Sequence, residues 1–237
     1  MNKHNPHCQT CNLKENNLFS VLNVDQLQRL DQIKSVREYQ RGDVIFYENT
    51  PSFAIYCICT GWVKLYKVGS RAERQVIRLL GPGDTIGHQA LLAGESYSAT
   101  AETIETSVIC TIPKEPFIKM VMESPQLSLN VMGKLAQELR TSEEQILILS
   151  QKSVQQRTAQ MLLLLRRKSP GRDDNCVELR IPLRRNEMAQ MIGTTPESLS
   201  RTLRSLAKRG ILRVTRMDLC ILDADALKRV AGEQAVS

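Results

Sequence analysis

The clearest periodicity in the chain is helical and lies between Arg184 and Gly210. Met188, Ala189, Met191 and Ile192 form an apolar stripe, and Gly193 supplies a C-terminal stop. Thr194 or Thr195 then caps a second helix, with Pro196 in its first turn and Glu197 at the positive end of its dipole. Leu199, Leu203 and Leu206 recur at spacings of four and three, so one face is buried. The opposite face carries Glu197, Ser200, Arg201, Arg204 and Lys208. After Gly210 the stretch ILRVTRMDLCILD reads as strand, turn and strand, with the turn near Arg216 to Asp218. Two helices, a tight turn and a two-stranded hairpin predict a winged helix-turn-helix. An apolar back and a basic, hydrogen-bonding front suit the major groove of double-stranded DNA. The competing reading of this segment alone is a solvated helix with ordinary surface arginines.

Upstream the pattern changes twice. VDQLQRLDQI, residues 24–33, has helical spacing. From about 34 to 112, short β-type runs (SVREYQ, DVIFYE, FAIYCIC, WVKLYKV, RQVIRLL and SATAETIETSVICTIP) are separated by glycine and proline turns. Many short strands with glycine corners predict a small antiparallel barrel or roll. KEPFIKMVMES is a short helix that ends before Pro125. From Gln126 to about Ser153 one helical pattern runs on, with Met132, Leu135, Leu139, Ser142, Ile146 and Leu149 at alternating spacings of three and four. Such a stripe is a candidate dimer seam, the alternative being a helix packed on its own domain. VQQRTAQMLLLLRRK, residues 154–168, is a further amphipathic helix, and VELRIPL is a strand leading into the helix-turn-helix. The expected organisation is a cysteine-containing tail at 1–19, a β-roll at 20–124, a dimerisation helix at 125–153 and a winged helix-turn-helix at 154–237.

Charge sharpens this division. Residues 152–237 hold 17 Lys and Arg against 9 Asp and Glu, whereas residues 1–151 hold 15 against 16. The whole net charge of +7 therefore comes from the part that carries the helix-turn-helix, the expected footprint of phosphate neutralisation. No apolar run is long enough to span a membrane and the N-terminus lacks a signal core, so a cytoplasmic protein is expected. G-x-S-x-G, H-E-x-x-H and P-loop patterns are missing, which argues against an enzyme.

The seven cysteines are at 8, 11, 57, 59, 110, 176 and 220. An odd number in a reducing compartment argues against a disulfide framework. Cys8 and Cys11 form a lone C-x-x-C, which could hold zinc or iron, act as a dithiol or do nothing; His4 and His7 lie nearby. Cys57 and Cys59, two apart on one strand face, read as core packing.

The order roll, long helix and winged helix-turn-helix resembles the cyclic-AMP receptor / FNR family of bacterial transcription regulators across almost the whole chain. GDVIF, GPGDTIGHQALL, the ILILS end of the long helix and ESLSR in the second helix carry the resemblance. It implies an α+β fold: an antiparallel, cyclic-nucleotide-binding-like β-roll (a double-stranded β-helix), a dimerisation helix and a winged helix-turn-helix. The cyclic-AMP branch fits poorly, because its phosphate pocket needs a glutamate and an arginine where this chain has His88 and Tyr97. Cyclic AMP is therefore not expected as a ligand. The FNR branch fits better through the N-terminal cysteines, the SVICTIP strand and the E-x-x-S-R signature. That branch binds a [4Fe–4S] cluster with four cysteines. Cys8, Cys11 and Cys110 match three of them, while Asn17 occupies the remaining place. A substitute ligand would have to come from Glu15, Asp25, His4, His7 or outside the protein. The alternatives are control by thiol oxidation, by another small effector or by abundance alone.

The resemblance further implies a homodimeric transcription activator, cytoplasmic and with RNA polymerase as partner, that reads a TTGAT-like inverted repeat in response to oxygen or redox state. Arg201 would donate to guanine, Glu197 would accept from a cytosine amino group and Ser200 would touch a neighbouring base. Arg204 and Lys208 would hold phosphate, and Thr195, at the start of the helix, would be a further DNA contact. In the FNR branch the seam commonly has an acidic residue at the place of Ser142, so this chain should dimerise with less dependence on a signal.

Overall fold

The structure is a computed structural model that describes residues 17–70, 72–168, 177–179, 183–215 and 219–232. Cys8, Cys11, Cys176 and the wing tip at Arg216 to Asp218 lie outside the described residues. The chain divides into two compact units, Met1–Thr141 and Ser142–Ser237.

The first unit begins with helix α1 (Val24–Ile33), started by a reciprocal cap: Asn23 Oδ1 accepts from the Gln26 N–H and Gln26 Oε1 accepts from the Asn23 N–H. Strands β1 (Ser35–Tyr39), β2 (Val44–Phe46), β3 (Ala54–Thr60), β4 (Val63–Val68), β5 (Arg74–Leu80) and β6 (Thr85–Ile86) follow. Helix α2 (His88–Ala93) then precedes strands β7 (Thr100–Thr103) and β8 (Ser107–Pro113). They form two four-stranded antiparallel sheets, ordered β1-β8-β3-β6 and β2-β7-β4-β5. Alternation along β3 sorts its side chains by face. Ala54, Tyr56 and Ile58 enter a cluster between the sheets with Phe46, Val63, Tyr97 and Ile109. Ile55 instead joins an outer cluster with Leu27 and Leu30 of α1, Phe117 of α3 (Lys114–Glu123), and Leu127 and Val131 of α4 (Pro125–Gln151).

Two features depart from the sequence reading. The run SATAETIETSVICTIP holds two strands in different sheets, β7 and β8, because buried Ile104 turns the corner and donates its N–H to Trp62 O at 2.9 Å. The corner is tight: Gly61 has φ +83°, and a Cβ there would lie 2.2 Å from Ser107 Oγ, so only glycine fits. The second departure is α2, six residues between the left-handed glycines Gly87 and Gly94, too short to show a period in the sequence.

The second unit contains the end of α4, then α5 (Val154–Lys168), β9 (Val177–Glu178), α6 (Arg185–Met191), α7 (Pro196–Lys208), β10 (Leu212–Val214), β11 (Leu219–Ile221) and α8 (Ala224–Ala231). The three strands form an antiparallel sheet in the order β10-β11-β9. Of the expected strand VELRIPL, Val177–Glu178 form β9, and 180–182 lie outside the described residues. Helix α8, not read from the sequence, is capped by Asp223 Oδ1 on the Ala226 N–H and packs on α5. Cys220, buried in β11, is disulfide-bonded, although the cysteine count argued against a disulfide framework. Among the described residues no helix is long and apolar enough to cross a membrane.

Candidate functional site

The helix-turn-helix is built by local chemistry. Glu187, buried in the first turn of α6, accepts the Arg184 N–H at 2.7 Å and so starts that helix. Gly193, at φ +61°, ends it: the Gly193 N–H bonds Gln190 O and the Thr194 N–H bonds Ala189 O. Thr195 is the cap of α7, its hydroxyl accepting the Ser198 N–H at 3.3 Å. The caps and the turn thus fix where α7 begins. Leu199, Leu203 and Leu206 are buried, as their spacing predicts. Glu197, Arg201, Arg204 and Lys208 are exposed and Ser200 is half-buried.

On this open face the Glu197 carboxyl is held below its usual range, first by the N–H of its own backbone, then by the Thr195 hydroxyl and the nearby Arg201 charge. It is therefore an anionic acceptor at neutral pH. Arg204 Nε donates to Ser200 O at 3.3 Å, which steadies its stem along the helix. One ionised acceptor next to a guanidinium, both on an exposed helix face, can form two base-edge contacts of opposite polarity.

The long helix α4 carries two stripes. Leu127, Val131 and Glu138 are buried and face the roll, with Leu135 half-buried against the outer cluster. Met132, Leu139 and Ile146 are 55%, 62% and 68% exposed, and Leu149 and Ser142 are exposed too. Leu135 therefore serves the roll, while the remaining predicted seam residues are left uncovered within one protomer.

Glu138 was not singled out by sequence reasoning. Its carboxylate, 6% exposed, accepts from Arg78 at 2.8 Å through Oε1 and from His88 Nε2 at 3.0 Å and Gln89 Nε2 at 2.8 Å through Oε2. With Nε2 donating, His88 Nδ1 is left without a partner among the described residues. Burial pushes the Glu138 carboxyl up, but hydrogen bonds and charge from His88 and Arg78 outweigh it and hold the carboxyl down at about 2. The signal was available: Glu138 lies seven residues after Val131, on the stripe that faces the core. Tyr97, the other residue expected to disfavour a cyclic phosphate, stacks on Phe46 at 4.0 Å and donates its hydroxyl proton to Ala54 O at 2.7 Å. His88 and Tyr97 thus take part in internal packing of the roll.

Of the expected cluster ligands only Cys110 is described. Its Sγ lies 3.1 Å from Cys59 Sγ, and that contact, followed by burial, pushes its thiol above the usual range. Asn17 Oδ1 accepts the Phe19 N–H at 2.8 Å, so its carboxamide caps a turn. Among the described residues no group of three His, Cys, Asp or Glu could hold a metal ion.

A roll, a long helix with an uncovered apolar stripe and a winged helix-turn-helix with a basic face define a DNA-binding regulator. Residues 36–124 match the model of the cyclic nucleotide-binding domain, and residues 156–230 match that of the Crp-like helix-turn-helix domain. The chain is 30% identical to the anaerobic regulatory protein of Pasteurella multocida, over 95% of this chain and 83% of that protein. It is 29% identical to the fumarate and nitrate reduction regulatory protein of Escherichia coli K12, over 95% of this chain and 90% of that one. The solved structure of FixK2 from Bradyrhizobium japonicum superposes with a TM-score of 0.76 at 26% identity, covering 84% of this chain and 97% of that one. The chain belongs to the CRP/FNR family of transcription regulators, and it is not an enzyme.

The Glu138 cluster generates a pH and stability prediction. A carboxyl held below its unfolded value contributes stability that is present above the ordinary carboxylate range and is lost as pH falls towards about 2. Glu138→Ala leaves Arg78 and His88 facing an empty, largely dry site and should cost about 3 kcal/mol at neutral pH. Urea unfolding from pH 7 to pH 3 measures both effects. The variant should also lose the part of the acid dependence that Glu138 supplies, and an unchanged acid profile would remove this account of the cluster.

Proposed function

We propose that this regulator acts as a homodimer that reads an inverted repeat of TTGAT-like half-sites and contacts RNA polymerase as an activator, under redox control. The observation that carries the reading is the exposed face of α7, on which Glu197, Ser200, Arg201, Arg204 and Lys208 lie opposite three buried leucines. Arg201 donates to guanine O6 and N7, Glu197 accepts from cytosine N4 and Ser200 bonds a neighbouring base. Arg204 and Lys208 take phosphate oxygens, which position the helix without specifying sequence. Thr195 acts through its cap, by setting where α7 begins. A two-fold dimer brings two such helices to half-sites one DNA turn apart.

The uncovered residues Met132, Leu139, Ile146 and Leu149 support a second copy of the chain as the cover of α4. Ser142 puts a neutral hydroxyl in that seam, where an acidic residue would meet its own symmetry mate. Dimerisation without a bound cofactor follows from this. The names of the relatives, an anaerobic regulator and a fumarate and nitrate reduction regulator, support oxygen or redox state as the signal. With Asn17 at the place where the resemblance implies a cysteine, and its side chain engaged locally, thiol chemistry is favoured here over a [4Fe–4S] cluster at Cys8, Cys11 and Cys110.

Arg201→Ala should cost about 1–3 kcal/mol on a specific palindrome and little on random DNA. Fluorescence anisotropy on both duplexes at one salt concentration measures this, and equal losses would make Arg201 a phosphate contact. Sedimentation of the metal-free chain at micromolar concentration should give a dimer, which Ser142→Asp weakens. A monomer that pairs only with a cofactor would overturn the seam argument. Protein purified under strict anaerobiosis should contain far less iron and acid-labile sulfide than a full cluster needs. Stoichiometric iron and sulfide, lost in Cys8→Ala, Cys11→Ala and Cys110→Ala variants, would restore the cluster.

A further inference from the structure

Two thiols from strands 51 residues apart meet on the outer face of the first sheet. The register of β3 on β8 pairs Cys57 with Cys110 and Ile58 with Ile109, then skips to Thr60 with Val108. Cys59 is therefore the extra residue of a β-bulge. Bulges re-aim a side chain and loosen the ladder around it. Here the bulge turns the Cys59 thiol onto Cys110, with Sγ atoms 3.1 Å apart, and Cys59 Sγ has a second, longer contact to Cys57 O at 3.9 Å. Cys57, although it is the register partner of Cys110, has its Sγ against Thr85 Oγ1 at 3.7 Å. Cys59 is half-exposed whereas Cys110 is buried. The pair thus has one partly exposed member and one buried member in contact with it. Among the described residues no third His, Cys, Asp or Glu joins the two thiols in a group that could hold a metal ion.

We propose that Cys59 and Cys110 are a redox-active dithiol, a modification site that closes to a cross-strand disulfide by exchange with a low-molecular-weight disulfide. Cys59, as thiolate, attacks one sulfur of the small disulfide, forms a mixed disulfide and releases the first small thiolate. Cys110 then gives up its proton and attacks Cys59 Sγ, which releases the second. Two protein thiols are oxidised to one disulfide and one small disulfide is reduced to two small thiols, so atoms and electrons balance. The closing sulfur is already in contact, so the second step needs side-chain rotation and a small shift at the bulge and leaves the fold in place. Closure would link β3 to β8 at the point where the ladder is weakest. The proposal concerns the sulfur chemistry of the roll and does not depend on which DNA the protein reads.

The test uses the full-length protein. It is held in buffers of reduced and oxidised glutathione at set ratios, then quenched with an alkylating agent and mapped as non-reduced peptides. The expected result is a Cys59–Cys110 linked peptide pair, with both thiols lost together and the pair lighter by two hydrogen atoms. In Cys110→Ser, Cys59 should stop at the glutathione adduct; in Cys59→Ser, Cys110 should stay alkylatable only after unfolding; Cys57→Ser should leave the link intact. A stable glutathione adduct on Cys59 of the unsubstituted chain overturns the proposal, as does a link from Cys57, or inertness of both thiols until urea is added. DNA binding by the fully reduced protein is measured in parallel, so failure of the dithiol and failure of the regulator reading are separate results.

Discussion

A single buried carboxylate ties the long helix to the roll. Glu138 lies on the core-facing stripe of α4, where an apolar residue would be ordinary, and it is retained there by three donors from two places in the roll: Arg78 at the end of β5, and His88 and Gln89 at the start of α2. An isolated carboxylate could not stay ionised at 6% exposure. The guanidinium, the imidazole and the amide together repay its desolvation, and in return they become directional restraints on the helix. Hydrophobic contacts from Leu127, Val131 and Leu135 bring α4 to the sheet, but apolar packing tolerates sliding. Four hydrogen-bonding groups that must meet at one point do not.

This constraint gives α4 two unlike sides. The side that holds Glu138 is committed to the roll, and the other presents Met132, Leu139 and Ile146 to solvent. Here His88 points its Nε2 at a carboxylate of the protein itself, and Tyr97 is stacked in the interior. In the second unit the logic is local: caps at Thr195 and Asp223 and the glycine stop at Gly193 define helices whose buried leucines leave a charged face outward.

The helix-turn-helix was the most legible part of the chain because everything that makes it is short-range. Helical periodicity, a cap, a proline and a glycine lie within one stretch, and each acts within one or two turns. The roll was legible as a class, since turn residues mark its corners, but its connections were not. Nothing local separates SATAETIETSVICTIP into β7 and β8; the break follows from Ile104 finding the interior and from the close approach of Gly61 to Ser107. Helix α2 was missed for the opposite reason, being too short to have a period, and α8 was passed over after the hairpin although Asp223 announces its start.

By itself, then, the sequence determined the family, the order of the elements, the buried face of α7 and the basic character of its second half, because these depend on residue type and spacing along the chain. Tertiary structure alone decided which residues meet. It placed Glu138 among Arg78, His88 and Gln89, assigned Leu135 to the roll, and brought Cys59 to Cys110 across a bulge. These partners are between 49 and 60 residues apart along the chain. Their meeting depends on sheet register and on a single extra residue in one strand, and a pattern read along one dimension carries no information about either.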